Sequence, residues 1–143
     1  MAIILNPYLN FRDNARQAME FYHGALGGEL NVSSFKDFGA SQSPDEDDLV
    51  MHSMLKTPNG LVLMGADTPM RMEYQPGTNF GVSLSGDQED EETLRGYFER
   101  LSAGGQVTMP LDKAPWGDTF GMLKDKFGVT WLVNIAGEQS QKQ

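Results

Sequence analysis

MLKDKFGVTWL, Met122 to Leu132, lies without a gap over MLKTPNGLVLM, Met54 to Met64, at an offset of 68 residues. Met, Leu, Lys and Gly are identical in the two segments, and the positions after the glycine stay mostly apolar. Each copy reads as strand, turn, strand, with the glycine supplying the backbone freedom that a tight turn often needs. The second copy sits inside WGDTFGMLKDKFGVTWLVN, Trp116 to Asn134, where threonine, valine and aromatic residues give the composition of a hairpin.

The repetition extends upstream of both hairpins. PYLNF, Pro7 to Phe11, reads as a strand, followed by a helix from about Asn14 to Leu26. Ala15, Ala18, Met19, Tyr22 and Leu26 recur at three- and four-residue spacing and make one apolar helical face. Asn14 is placed to cap the helix, with Gln17 in position for a capping box. In the second half FGVSLS, Phe80 to Ser85, leads to a helix beginning near Asp87, whose acidic first turns suit the positive end of a helix dipole. Leu94, Phe98 and Leu101 form its buried stripe. Both helices end in Gly-Gly and pass into short strands, Glu29 to Phe38 and Gln106 to Leu111. The order βαβββ therefore occurs twice.

The fold class that follows is α+β: two βαβββ modules building a curved, partly open eight-stranded sheet. Each helix covers one sheet face, and pairing the modules bends the uncovered faces into a central cleft, the kind of concavity that takes small ligands. A single domain is expected over residues 1–137, with modules at 1–68 and 78–136 and a polar tail at 138–143. GASQSPDEDD, Gly39 to Asp48, is the largest difference between the modules and reads as a surface loop free to move.

At 143 residues with 39% hydrophobic residues, the chain can bury a core unaided. It contains no cysteine, which removes disulfides, thiolate metal sites and cysteine nucleophiles. Eleven basic against 20 acidic residues give a formal charge of −9, a field that repels a phosphate backbone, so nucleic acid is not an expected partner. The first residues, MAIILNPYLNF, have no basic leader pattern, and no stretch approaches the roughly 20 apolar residues of a membrane-spanning helix. A cytoplasmic protein without membrane association is expected. Nine methionines are the compositional oddity; several lie in apolar strands, where flexible thioethers fill irregular space or line an adaptable cavity.

Taken together, NPYLNFRDNARQAMEFYHGALGGEL, VMHSMLKTPNGLVLMGAD, LSAGGQVTM and the hairpin from Trp116 to Asn134 resemble the glyoxalase/bleomycin-resistance proteins, the vicinal oxygen chelate superfamily, and within it the PhnB-like branch. The resemblance covers nearly the whole chain. It implies homodimers, and in the family's enzymes a divalent metal held by histidine, glutamate or glutamine on the first and last strands of each module. That metal acts as a Lewis acid on two substrate oxygens. The position that usually carries the carboxylate falls on Leu132, four residues after Gly128, and on Met64 after Gly60. Asn6 to Leu9 and Asn79 to Gly81, the corresponding first-strand regions, hold neither histidine nor carboxylate. No metal and no other cofactor is expected.

Strand alternation from Met64 and Leu132 puts Val62, Thr130 and Asn134 on the cleft side and turns Leu63 and Trp131 toward the helices. The ligand-binding set expected on this basis is Tyr8, His52, Met54, Val62, Met64, Phe80, Trp116, Phe120, Thr130 and Leu132. Tyr74 is a further aromatic candidate at the rim. His23 reads as a cation at the end of the first helix. His52 is the candidate catalytic base, with a satisfied histidine inside the fold as the competing reading. Asp67 and Asp118 read as turn caps before they read as ligands.

The functional expectation is a metal-free small-molecule-binding protein taking an amphipathic or aromatic ligand. The alternative is an enzyme of the same superfamily (lyase, isomerase or dioxygenase) using His52 as base or ligand. No glycine-rich strand-to-helix loop for S-adenosylmethionine is present, which argues against methyl transfer.

Overall fold

The computed structural model describes residues 3–137; the tail expected at 138–143 lies outside the described residues. Among the described residues, eight strands and two α-helices follow the order β1 (Tyr8–Phe11), α1 (Ala15–Leu26), β2 (Glu29–Ser34), β3 (Val50–Lys56), β4 (Val62–Asp67), then β5 (Val82–Gly86), α2 (Glu91–Ser102), β6 (Gln106–Lys113), β7 (Thr119–Lys124), β8 (Thr130–Ile135). The strands form two four-stranded sheets, ordered β1-β4-β3-β2 and β5-β8-β7-β6. In each sheet the first strand runs parallel to the last, and the remaining pairs are antiparallel. The chain divides into two compact units, Met1–Pro76 and Gly77–Gln143, one per βαβββ module.

In the first unit Leu9, Phe11, Leu55 and Leu63 are buried, together with Ala15, Ala18, Met19 and Tyr22 of α1. In the second, Val82, Leu84, Leu123, Trp131, Val133 and Ile135 are buried, together with Leu94, Tyr97, Phe98 and Leu101 of α2. Alternation along the strands thus sends one set into the core and leaves the other on the helix-free face. Leu63 and Trp131 are in the buried set, as the sequence predicts. The fifth strand starts at Val82 rather than Phe80, so its face-forming residue opposite Leu132 is Ser83.

The caps of the two helices differ. Asn14 makes no side-chain cap to α1. Its place is taken by Asp67 at the end of β4, whose Oδ1 accepts from the Ala15 N–H at 2.9 Å while Oδ2 accepts from the Val50 N–H at 2.9 Å. A buried carboxylate serving two backbone donors outcompetes a short amide at the helix entry. Ahead of α2 a local capping box closes the 3-10 turn Gln88–Asp90 that runs into the helix: Asp87 Oδ1 accepts from the Glu89 N–H, and Asp90 Oδ2 accepts from the Asp87 N–H.

The Gly-Gly pairs serve a close approach. A Cβ at Gly28 would strike the Lys56 carbonyl, and one at Gly105 would strike the Lys124 carbonyl, each at the end of the strand that leads into the hairpin turn. Gly28 also sits at φ 92°. The repeat is therefore visible in backbone contacts as well as in sequence.

The loop from Gly39 to Asp48 is tied down rather than loose. Pro44–Glu46 forms a short 3-10 turn, Ser41 Oγ donates to Asp47 Oδ1 at 2.6 Å, and buried Glu46 pairs with Arg71 at 3.0 Å. Arg71 lies 25 residues downstream, beyond any local sequence signal.

Candidate functional site

The helix-free face of the first sheet gathers five of the residues expected from sequence. Tyr8 stands opposite Met64, and Met64 stands opposite Met54, so the three form a row across β1, β4 and β3. Val62 and His52 occupy the neighbouring outward positions on β4 and β3. The Tyr8 and His52 rings lie 6.0 Å apart with a 31° interplanar angle. His52, Met54, Val62 and Met64 are half-buried, and burial pushes the Tyr8 phenol above its ordinary value. The His52 side chain makes no hydrogen bond or ion pair among the described residues; its neighbour is the Tyr8 ring. Asn31 pairs with Met54 on the same face.

The helix-free face of the second sheet is built in the same way with different side chains. Leu132 stands between Ser83 of β5 and Met122 of β7, and Asn134 between Ser85 and Phe120. Thr130 shares this face. Trp116, exposed in the turn before β7, meets the Phe120 ring edge-on at 5.8 Å. Met109 of β6 pairs with Met122 and extends the thioether surface outward. Ser83, Met109 and Met122 belong to this face without having been singled out as site residues. Met122 was within reach of the repeat, being the counterpart of Met54; Ser83 was hidden by the misplaced start of β5.

Other candidates lie elsewhere. Phe80 is exposed ahead of β5, and Tyr74 lies 5.1 Å beneath the Arg12 guanidinium, in a segment whose Thr68 and Pro69 carbonyls accept from Arg12. His23 Nε2 contacts the Gly28 carbonyl at 2.9 Å, a local closure of the α1 terminus. Asp118 accepts from Asn134 Nδ2 and from the Gly137 N–H, so it braces β7 against the end of β8. Asp125 accepts from the Phe127 and Val129 N–H groups and from Trp131 Nε1, fixing the β7–β8 turn and the buried indole. These carboxylates are structural acceptors. A pocket of about 490 Å³ opens at the end of the second sheet, between Gln88, the first α2 residue Glu91, Lys113, and Ile135 to Gly137. None of the expected site residues lines it.

The divalent site of the vicinal oxygen chelate enzymes can be tested against these positions. The first and last strands are hydrogen-bonded neighbours, and the facing residues are Tyr8 with Met64 and Ser83 with Leu132. A hard or borderline divalent ion needs several carboxylate or imidazole ligands converging on one point. Among the described residues no three His, Asp or Glu side chains come together in that way. A phenol, a thioether, a hydroxyl and an alkyl group do not fit that metal.

The comparisons with known proteins agree with the architecture. The chain is 28% identical to protein YjdN of Escherichia coli over 149 residues, covering 94% of this chain and 97% of that one. It is 36% identical to the solved structure of PA1353 from Pseudomonas aeruginosa, with a TM-score of 0.76 over 94% of this chain and 98% of that one. A Bacillus cereus PhnB protein, described as a putative 3-demethylubiquinone-9 3-methyltransferase, shares the fold at a TM-score of 0.72 and 24% identity, covering 94% and 100% of the two chains. Residues 4–133 match the family described as the Glyoxalase/Bleomycin resistance protein/Dioxygenase superfamily. With the duplicated βαβββ frame, its two open sheets and that match in hand, the chain belongs to the glyoxalase/bleomycin resistance protein/dioxygenase superfamily.

Proposed function

We propose that this chain binds a small amphipathic or aromatic molecule on its helix-free sheet faces, without the divalent metal of the superfamily's enzymes. The observation that carries this reading is the character of those faces. Where a chelating site needs carboxylates and imidazoles, the strands present Tyr8, Met54, Val62 and Met64 in one unit and Phe120, Met122, Thr130 and Leu132 in the other. Half-buried thioethers and rings can adapt to a flat apolar ligand and stack on it. Residues 1–137 act in this reading as one binding domain, in a cytoplasmic homodimer whose assembly covers strand edges. No described helix is long and apolar enough to cross a membrane. The methyltransferase description of the Bacillus protein is not carried over, because no glycine-rich loop for the methyl donor follows a strand here.

A second reading, an enzyme with His52 as base, is favoured by one observation: the imidazole stands in ring contact with Tyr8 on the helix-free face, with no side-chain hydrogen-bond partner among the described residues. Native mass spectrometry of protein purified without chelators or an affinity metal tests the first reading. A dimer carrying an extra organic mass is the expected result. One divalent ion per chain, retained in a Met64→Leu variant, would overturn it. Chemical conversion of the captured molecule by the wild type but not by His52→Gln would establish the enzyme instead.

A further inference from the structure

The pairing of β3 with β4 places Met54 directly across from Met64. Cross-strand neighbours on one face have Cβ atoms about 5 Å apart. His52 is the next outward position along β3, about 7 Å from Met54 at ordinary strand rise. Two thioethers and an imidazole thus occupy three adjacent sites on one face, all half-buried and reachable from solvent. The imidazole has no hydrogen-bond partner among the described residues to hold it away.

We propose that this face of the first unit carries a site for a soft monovalent cation, copper(I) or silver(I), ligated by Met54, Met64 and His52. Thioethers are poor ligands for magnesium, calcium or zinc but good ones for copper(I), and imidazole suits copper as well. The donor set that excludes the superfamily's divalent ion is therefore the one that selects a soft ion. Tyr8, opposite Met64 and with its ring 6.0 Å from that of His52, adds a neighbouring aromatic surface of the kind that attracts a bound cation. The formal charge of −9 favours the approach of a cation.

The second unit supplies an internal control. By the repeat, Met122 stands where Met54 does, but Leu132 replaces Met64 and Phe120 replaces His52. Met109 and Met122 still pair across β6 and β7, as two thioethers without an imidazole. The site is accordingly expected once per chain, in the first unit alone.

The test is competition for copper(I) under ascorbate, without oxygen, against the chromophoric chelator bicinchoninate. The wild type is expected to take one copper(I) per chain from the chelator. Met64→Leu and His52→Phe are each expected to weaken binding at least tenfold, and Met70→Leu, at an exposed methionine outside every strand, to leave it unchanged. Leucine conserves the volume of methionine, and circular dichroism checks that each variant folds. Failure of the wild type to take copper, or equal affinity in all three variants, would overturn the proposal. Silver(I) titration of protein carrying 13C-methyl methionine gives a second readout. The Met54 and Met64 methyl signals are expected to move while those of Met109 and Met122 stay; movement of all four together would also overturn it. The proposal does not rest on the organic-ligand reading, which an apolar fluorescent probe tests separately in the presence of excess copper chelator.

Discussion

Asp67 shows how much one side chain can hold. Its two oxygens serve the Ala15 and Val50 N–H groups, joining the start of α1, the start of β3 and the end of β4. Asp67→Ala leaves two buried donors unpaired and is expected to cost about 3 kcal/mol, since a bond to a charged acceptor contributes roughly 1.5–3 kcal/mol. Asp67→Asn keeps one acceptor and is expected to cost less. Urea unfolding midpoints decide; a change of under about 0.5 kcal/mol for Asp67→Ala would mean that water replaces the carboxylate. Asp37 is a gentler case. The Ser34 N–H, then the Ser34 hydroxyl, holds its carboxyl below the usual aspartate value, and the Ser34 N–H donates to Asp37 Oδ2 at 2.8 Å. A depressed folded-state pKa contributes stability that is present above the unfolded value and lost as pH falls through the folded one. Carbon-detected NMR titration should therefore find Asp37 protonating later on acidification than a free aspartate. A midpoint at or above the ordinary aspartate value of 3.8 would contradict the contact.

At the scale of elements, the Gly-Gly pairs can be separated by substitution. Gly27 and Gly28 both have positive φ, 78° and 92°, but only Gly28 lies against a backbone carbonyl. Gly27→Ala is expected to cost about 1 kcal/mol from backbone conformation alone. Gly28→Ala must also push the α1–β2 turn off the Lys56 carbonyl, and is expected to cost at least twice as much in thermal or urea unfolding. Equal costs would show that the close approach relaxes freely. The elements themselves were legible in sequence because their signals are local: helical spacing in Ala15 to Leu26, Gly-Gly stops, and glycine turns repeated at one offset. Two departures, at Asn14 and at the Gly39–Asp48 loop, share one cause. The acceptor that displaced Asn14 lies 52 residues from Ala15, and the partner that ties down Glu46 lies 25 residues away. Neither has a periodicity to read. The outward faces were legible residue by residue, since alternation alone places Tyr8, His52, Met54, Val62 and Met64 together; how their side chains pair required the register.

For the whole chain, the two compact units are joined through a segment that is anchored at its start. Arg12 donates to the Thr68, Pro69 and Met72 carbonyls and lies over Tyr74, so residues 68–74 belong with the first unit. From Gln75 to Gly81 every residue is exposed. Brief chymotrypsin treatment is expected to cut first after Phe80, and Arg12→Ala to add an early cut after Tyr74. Cleavage spread evenly over both sheets would show that the anchor does not order this segment.

The unlike caps of the two helices bear on the order of assembly. The 3-10 turn that runs into α2 is capped by Asp87 and Asp90, within itself. The α1 start is completed only when β4 has been laid down and brings Asp67 back to it. One module can therefore nucleate from a helix that stands ready, while the other waits on a loop closure whose entropy must be spent first. Mutations along α2 should slow refolding in proportion to their effect on stability, and mutations at the α1–Asp67 junction should chiefly speed unfolding. The reverse pattern in stopped-flow kinetics would contradict that order. Two copies of one architecture would then differ not in where the chain ends but in when each copy becomes a structure.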